Sequence, residues 1–385
     1  MALNKDAQAF IAATNKEHPG SIVLGSDMVI PKRFTSGSLS LDVALGGGWP
    51  GNQWVEVLGY NSAGKTAITL KTIAANQALD PEFATFWVAA ETYDTDQAQA
   101  LGVDLSRVTV APTRVMEKGL DYILTALTSK GFDAIVLDSY PALSHEEELE
   151  KDMDEFTMAG GAKVFNKFWR KAGEAGLRDP LGTDPPFLGI VVNQWREKIG
   201  GYTPNKNIPP RTSPGGGGKD YAFYTRVDIK REQYITESRP NREKPVKVGQ
   251  TMSITTIKNK SYAPQEVAKL DFYFRDTTTL GFKRGDYDLA RDYASTGVLF
   301  GAVEKKRGWY TFEGEQFNGM PAFRENLRKD LSMQAKLREQ VLELARDPRL
   351  VDSIAETGTG DDAVAITRRV SRRARHWQSS EDATE

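Results

Sequence analysis

The chain contains no cysteine. Disulfide scaffolds and thiolate zinc sites are therefore excluded, and the absence fits a reducing compartment. Neither charge sign is in excess, since fifty basic residues face 52 acidic ones for a formal net charge of -2. Nucleic-acid binding, if present, must come from a local basic surface rather than a global field. No run approaches the roughly 18 consecutive apolar residues of a membrane span. The first thirty residues lack the charged-then-apolar pattern of a signal peptide. A soluble, cytoplasmic protein with no membrane partner is the expectation, and no internal repeat is evident. What the chain does have is 39% hydrophobic and 10% aromatic residues over 385 positions. That supplies a real core and suggests one large domain with a smaller companion.

Apolar and small residues recur at helical spacing near the start: Leu3, Ala7, Phe10, Ile11 and Ala13. The following "HPGS" stops the helix. Such a helix packs either on its own body or on a neighbour, and the sequence leaves both open. Short apolar runs at 53–59, 83–91, 133–139 and 186–195 read as strands, with helical patterns between them. One of these, 164–176, puts Phe165, Phe168, Trp169 and Ala172 on one face. Nearly continuous apolar strands alternating with helices predict a mostly parallel, twisted sheet covered on both sides. Segments 224–235 and 250–260 alternate with period two and predict antiparallel strands at one side of that sheet. Segment 200–220, with four prolines and six glycines, is expected to lack regular structure. Beyond about 280 a small α/β module is expected, with a hairpin at 308–317 and one charged helix over 325–347. From about 352 the chain is poor in apolar residues and reads as disordered.

Residues 59–66, "GYNSAGKT", fit G-x-x-x-x-G-K-[ST] at every fixed position. Between a strand and a helix, this pattern cradles phosphates with backbone N–H groups and the helix N-terminus. The candidate nucleotide-binding set is Gly59, Asn61, Ser62, Ala63, Gly64, Lys65, Thr66 and Ala67. Lys65 is placed to reach the β/γ-phosphates and the Thr66 hydroxyl to ligate Mg²⁺. Asp138 closes the run "DAIVLDS", where a carboxylate suits Mg²⁺ coordination; a plain strand-end cap is the alternative. Glu91, closing "FWVAAE", can polarise water for attack on a γ-phosphate or simply be a solvated strand-end residue. Asn193-Gln194 ends a further strand, where an amide can contact the γ-phosphate and pull the next loop, or be a satisfied strand end.

The segment after that strand is basic. Over 195–220, Arg196, Lys198, Lys206, Arg211 and Lys219 oppose Glu197 and Asp220, a net of +3. With Trp195 and Tyr202 for stacking, it suits single-stranded nucleic acid, against the alternative of a solvated lid. A second segment, 144–158, is acidic and carries few basic residues, among them Lys151. Contact with DNA there would run through backbone amides, apolar wedging or those few cations.

In order along the chain, "SGSLSLDVALGGGWP", "GYNSAGKT", "AAE", "AIVLDS", "VVNQWREKIG", "GGGGKDYAFYTRVDIKR" and "IKNKSYAP" resemble the bacterial RecA recombinases over roughly residues 1–345. The resemblance implies an α/β, RecA-type P-loop ATPase core with an N-terminal helix and a small C-terminal α/β domain. It implies a polymerisation helix and linker at 1–34, the core at 35–279, the small domain at 280–348 and a tail at 349–385. The implied activity is ATP-dependent homologous recombination, with ATP and Mg²⁺ as cofactors. The chain would polymerise on single-stranded DNA as a helical filament and exchange strands with homologous duplex DNA, with mediator and single-strand-binding proteins as further partners. Glu91 matches the catalytic glutamate, and Gln194 the glutamine that couples γ-phosphate to the DNA loop. Lys258 and Lys260 match lysines that reach a neighbour's γ-phosphate; from the residues alone, they are a solvated strand face. Residues 150–158, ending in Met158, match the first DNA loop, and 195–216, ending in Gly215 and Gly216, the second. Phe223 matches an interfacial aromatic that reports nucleotide state.

Several positions depart from the family. The family's aromatic adenine contact falls near Ala98, so the base is held differently, and Tyr93 is a candidate substitute. Phe274 replaces a tyrosine expected at the adenine across the interface. The family's arginine after the first loop is Lys163, which keeps charge but loses the planar fork. Ala222 stands where a lysine often precedes the interfacial aromatic. The usual acidic tail is replaced by 368–375, with five arginines in eight residues; duplex contact and a solvated tail both remain open. Two rivals are a ring-shaped helicase of the same core fold and a binding protein that coats single strands without turnover.

Overall fold

The computed structural model describes residues 3–18, 20–150, 160–198, 210–240 and 242–346. The four apolar runs form β1 (Gln53–Gly59), β2 (Thr85–Ala89), β4 (Ala134–Asp138) and β5 (Leu188–Val192), with β3 (Val108–Pro112) between β2 and β4 in the chain. β6 (Phe223–Glu237), β7 (Val246–Asn259) and β8 (Val267–Tyr273) complete an eight-stranded sheet of order β8-β7-β6-β1-β5-β4-β2-β3. β6 pairs parallel with β1, while β7 and β8 follow antiparallel. Six strands thus divide the expected way: β1, β2, β4 and β5 are parallel strands from the four apolar runs, and β6 and β7 are the alternating pair, antiparallel to each other at one side of the sheet. β3 and β8 were not legible as strands. β3 is only five residues and half-exposed, and β8 carries lysine and aspartate inside it.

Helices α1 (Lys5–Glu17), α2 (Leu39–Ala44), α3 (Lys65–Leu79), α4 (Thr95–Ala100), α5 (Met116–Ser129), α6 (Gly160–Ala175) and α7 (Gly218–Ala222) accompany the sheet. No described residue of α1 is buried, and Phe10 stays exposed. One face of the sheet packs α3, through Ile68, Leu70 and Ile73, against Val55, Val57 and Val136. The other packs α5 and α6, whose Phe165, Phe168, Trp169 and Ala172 are all buried as their spacing predicts. Each large side chain so buried contributes about 1.5–3 kcal/mol. Trp54 sits at the centre of that aromatic group, edge-on to Trp169 at 5.3 Å and Phe168 at 6.0 Å. It fits because its neighbour on β5 is Gly189, where any Cβ would collide with the indole.

Beyond the sheet lie α8 (Leu289–Leu299), the antiparallel strands β9 (Glu304–Lys306), β10 (Trp309–Phe312) and β11 (Glu315–Asn318), then α9 (Gly319–Lys329) and α10 (Leu331–Leu344). The single helix expected over 325–347 is in fact two. Asp330 adopts extended backbone, and its carboxylate caps Ser332 N at 2.8 Å and Met333 N at 3.0 Å. A capping side chain there satisfies donors that a continuous helix would have paired internally. The presumed tail, 349–385, lies outside the described residues. No described helix is long and apolar enough to cross a membrane.

α2 stands between the two parts. Its Leu39 and Val43 pack with Phe323, Leu337 and Val341. Asp292 of α8, fully buried, accepts from Leu39 N at 2.7 Å, Ser40 N at 3.2 Å and Ser38 Oγ at 2.9 Å. Asp42 of α2, equally buried, accepts from Thr35, Ser36 and Arg338 of α10 at 2.5–2.7 Å. Replacing Asp292 with alanine should leave two helix N–H groups without acceptors. The expected loss is about 3 kcal/mol, read as a lower Tm, with Asp292→Asn losing less because one acceptor oxygen remains.

Candidate nucleotide site and nucleic-acid loops

β1 ends at Gly59, and α3 begins at Lys65 after a tight turn. Gly64 takes φ +104, which glycine adopts without the penalty a Cβ brings. Its close packing matters as much, because an added Cβ would strike Met252 Sδ of β7. Lys65 is buried and donates to the Tyr60 carbonyl at 2.9 Å. Burial lowers its pKa, and the charges of Asp138 and Glu91 work in the opposite direction. The Thr66 hydroxyl donates to Asp138 Oδ2 at 2.9 Å, so residues 72 positions apart meet at the loop. Burial raises the Asp138 carboxyl to about 6, and the Thr66 hydrogen bond acts against that rise. The Asp138–Ser139 peptide is cis.

Glu91 follows β2, where its N–H and that of Ala90 both donate to the Asp138 carbonyl. Its carboxylate accepts from Ser139 Oγ at 2.5 Å. Gln194 follows β5. These residues line one cavity of about 740 Å³, together with Asn61, Ser62, Gly64 and Ala67. A hydroxyl and a carboxylate at this spacing suit Mg²⁺, whose remaining oxygen ligands ordinarily come from phosphates and water.

The far wall of the cavity was not legible in the sequence. It is a row across three antiparallel strands, Tyr234, Gln250 and Phe272, paired neighbour to neighbour, with Arg231 and Phe274 beside it. Gln250 Nε2 reaches the Ala63 carbonyl at 3.4 Å, seating this wall on the phosphate loop. Such a row exists only once register is set, and β8 carries no strand signature of its own. Phe274 lines this cavity within its own chain. Physically, its N–H bonds to the Val248 carbonyl, and that holds it at the β7 edge of the cavity.

The base end also differs from expectation. Ala98 is wholly buried. Tyr93 turns inward, edge-on to Trp87 at 5.3 Å, and its buried hydroxyl has no hydrogen-bond partner. Burial pushes that hydroxyl to about 12. Tyr93 therefore packs, partly buried, against the core and does not line the cavity, to which α4 presents Gln97. The alternation of α4 could have marked Gln97, since it precedes the buried Ala98.

Lys258 and Lys260 lie outside this cavity. Lys258 Nζ donates to the carbonyls of Phe223, at 2.7 Å, and Asp220, and Lys260 Nζ donates to that of Tyr221 at 3.2 Å. The pair thus caps the C-terminal end of α7, where cations are favoured. Burial lowers the Lys258 pKa, as do the charges of Lys260 and Arg226. Phe223, expected at an interface, is fully buried in its own chain and edge-on to Trp169 at 4.9 Å. It begins β6 under the aromatic group of α6, which accounts for the burial.

The basic segment has an ordered stem. Arg196-Glu197 pairs antiparallel with Arg211-Thr212, and Lys198 N donates to the Pro210 carbonyl at 2.7 Å. Trp195 Nε1 donates to Asp228 at 2.7 Å, and Arg211 both stacks on Trp195 at 4.2 Å and pairs with Asp228 at 2.9 Å. The expectation of no regular structure across 200–220 fails at its C-terminal end, where this stem and α7 form. Gly215 and Gly216 sit between them at φ +115 and +71. Arg196 and Lys198 are exposed, Arg211 is half-buried, and Lys163 is exposed on α6. Met158, Lys206 and Lys151 lie outside the described residues.

The family model described as the RecA N-terminal domain matches residues 11–279. Proteins named Protein RecA align across most of the chain. That of Campylobacter hominis is 30% identical over 348 residues, covering 89% of this chain and 91% of the relative. That of Cereibacter sphaeroides is 30% identical over 332 residues, covering 86% and 88%. That of Mesomycoplasma hyopneumoniae is 29% identical over 316 residues, covering 82% and 86%. Among solved structures, one described as a crystal structure of the RadB recombinase has a TM-score of 0.43 at 15% identity, covering 65% of this chain and 99% of that one.

Gly64→Ala tests the phosphate loop directly. The left-handed backbone and the Met252 collision should together cost about 1–3 kcal/mol. A fluorescent ATP analogue should bind at least about tenfold more weakly, because any relief of the collision displaces the phosphate-facing amides.

Proposed function

The chain belongs to the RecA family, and from that premise we propose that it is an ATP-dependent recombinase. It assembles on single-stranded DNA as a helical filament and pairs that strand with homologous duplex. The observation that carries this reading is one cavity in which the Thr66 hydroxyl and Asp138 carboxylate meet at 2.9 Å while Gln194 opens directly into the stem of the basic segment. A nucleotide held there is coupled by chain continuity to DNA held by that segment.

In this reading, the backbone of Gly59–Thr66 holds the phosphates and Lys65 leaves the Tyr60 carbonyl to reach them. Thr66 and Asp138 hold Mg²⁺, which when bound offsets the charge on the phosphate oxygens. Glu91, oriented by Ser139 at 2.5 Å, polarises the attacking water. Phe274 and Phe272 offer apolar surface to the base, and Gln97 offers an amide that can donate or accept. Gln194 senses the terminal phosphate and moves the stem at Arg196 and Lys198. Arg211, Gly215 and Gly216 complete the DNA-facing set with Met158, Lys163 and Lys206. Lys258 and Lys260 supply positive charge to the nucleotide of the adjoining subunit, and Phe223 transmits its state. The family's recombination and repair role fits a chain in which nucleotide binding switches DNA affinity.

ATP hydrolysis is expected to rise on adding single-stranded DNA; turnover indifferent to DNA would count against a recombinase. Electron microscopy with a slowly hydrolysed ATP analogue should show helical filaments, whereas closed rings would favour a helicase. Lys258→Ala should still bind nucleotide yet hydrolyse it on the order of 10³-fold more slowly, as loss of a trans cation does elsewhere. An unchanged rate would remove the trans assignment.

A further inference from the structure

Glu56 is an anomaly of β1. Its neighbours Val55 and Val57 face the core beneath α3, and Glu56 faces the other side with no solvent exposure at all. A lone buried carboxylate costs several kcal/mol, so what surrounds it must offset that. Arg226 of β6, its register partner, donates from Nε to Glu56 Oε2 at 2.5 Å. Asn193, at the end of β5, donates from Nδ2 to Glu56 Oε1 at 2.7 Å. Burial pushes the carboxyl above its usual range, while the charges of Arg226 and Lys219 and the Asn193 amide pull it back.

Each partner then continues outward. Asn193 Nδ2 also donates to the Pro214 carbonyl at 3.0 Å, and its Oδ1 accepts from Gln194 N at 2.8 Å. The other nitrogens of Arg226 reach Ser213 Oγ at 3.1 Å and Asp220 Oδ1 at 2.9 Å. Lys219, itself buried, lies 3.3 Å from Asp220. Two carboxylates and two cations thus balance within one cluster. Every outward bond ends either on the backbone of Gln194, on the exit of the basic segment at Ser213-Pro214, or on α7.

We propose that Glu56, with Arg226 and Asn193, is a positioning centre that makes Gln194 and the Ser213-Pro214 exit move as one unit. This rests on the reading of Gln194 as the residue that senses nucleotide. Stability alone does not explain the arrangement, because well-packed apolar residues often replace a buried ion pair without loss. An ion pair does what apolar packing cannot. Its bonds are directional, so displacement of Gln194 N is carried through one carboxamide to the Pro214 carbonyl. The fixed fork of Arg226 ties Ser213 to the same carboxylate, so Ser213 and Pro214 keep one geometry relative to it. Glu56, anchored in the central strand that ends in the phosphate loop, supplies the fixed point about which both move.

The cysteine-free chain allows a clean test. Thr212→Cys, exposed beside Ser213, is labelled with an environment-sensitive fluorophore. Its response to a slowly hydrolysed ATP analogue is compared in this parent, in Glu56→Gln and in Arg226→Lys. The proposal requires a response in the parent that falls at least about fivefold in both variants. The analogue's Kd, read by competition with a fluorescent nucleotide, should stay within about twofold. A merely structural defect would weaken nucleotide binding in parallel with the response. A response that persists undiminished in folded variants overturns the positioning role and leaves the recombinase reading intact. No response in the parent, despite nucleotide binding, overturns the nucleotide-to-segment coupling itself. If thermal melts show that either variant fails to fold, Ser213→Ala removes one outward bond without stranding a buried charge, and the same two outcomes decide.

Discussion

Parallel pairing of β1 with β5 on one side and β6 on the other places Gly59, Gln194 and Ile229 along one edge of the sheet. β4 and β2 extend that edge with Asp138 and Glu91. Parallel strands end together, so each side chain that leaves a strand there faces the same crevice. The phosphate loop occupies the crevice because β1 is central and the helix after it points its N-terminus at the edge. β6 then runs past the edge, and together with its antiparallel partner β7 and β8 beyond it supplies the opposite wall. One register therefore assembles the phosphate loop, the carboxylates and the wall. A slip of one residue in β1 would turn Glu56 toward α3 and Val57 toward the aromatic group.

How much of this was legible depended on how local each signal is. The loop "GYNSAGKT" contains its own geometry, since glycine, lysine and threonine at fixed spacing specify the turn and the helix start. Asp138, Glu91 and Gln194 were legible because each closes an apolar run, and in a parallel sheet the ends of such runs converge. The buried face of α6 followed from its spacing, with Phe165, Phe168, Trp169 and Ala172 all inside. Tyr234, Gln250 and Phe272 were not legible. They lie far apart in sequence and become neighbours only through two antiparallel registers. The direction of Tyr93 was hidden for a related reason. An aromatic beside a crevice and an aromatic beneath it read alike until Trp87 is placed. Asp330 shows the opposite failure, a helical pattern long enough to mask one capping residue inside it.

Buried carboxylates mark the joints of this molecule. Asp42 and Asp292 lie where α2 meets α10 and α8, and Glu56 lies where β1 meets β5, β6 and the exit of the basic segment. At each, a carboxylate with almost no exposure accepts several bonds from segments distant in sequence. Apolar contacts could bury as much area, but they tolerate sliding and repacking. A carboxylate with fixed donors does not, since losing one donor leaves a buried charge unpaired at a cost of several kcal/mol. Asp42 and Asp292 therefore fix how the C-terminal helices sit on the core. Glu56 is set apart by what its donors hold. Asn193 and Arg226 each retain hydrogen-bonding groups that point away from the carboxylate toward Gln194, Pro214, Ser213 and Asp220. A joint that served only to close the core would have no need of those outward bonds, and their common destination is the chain on either side of the basic segment.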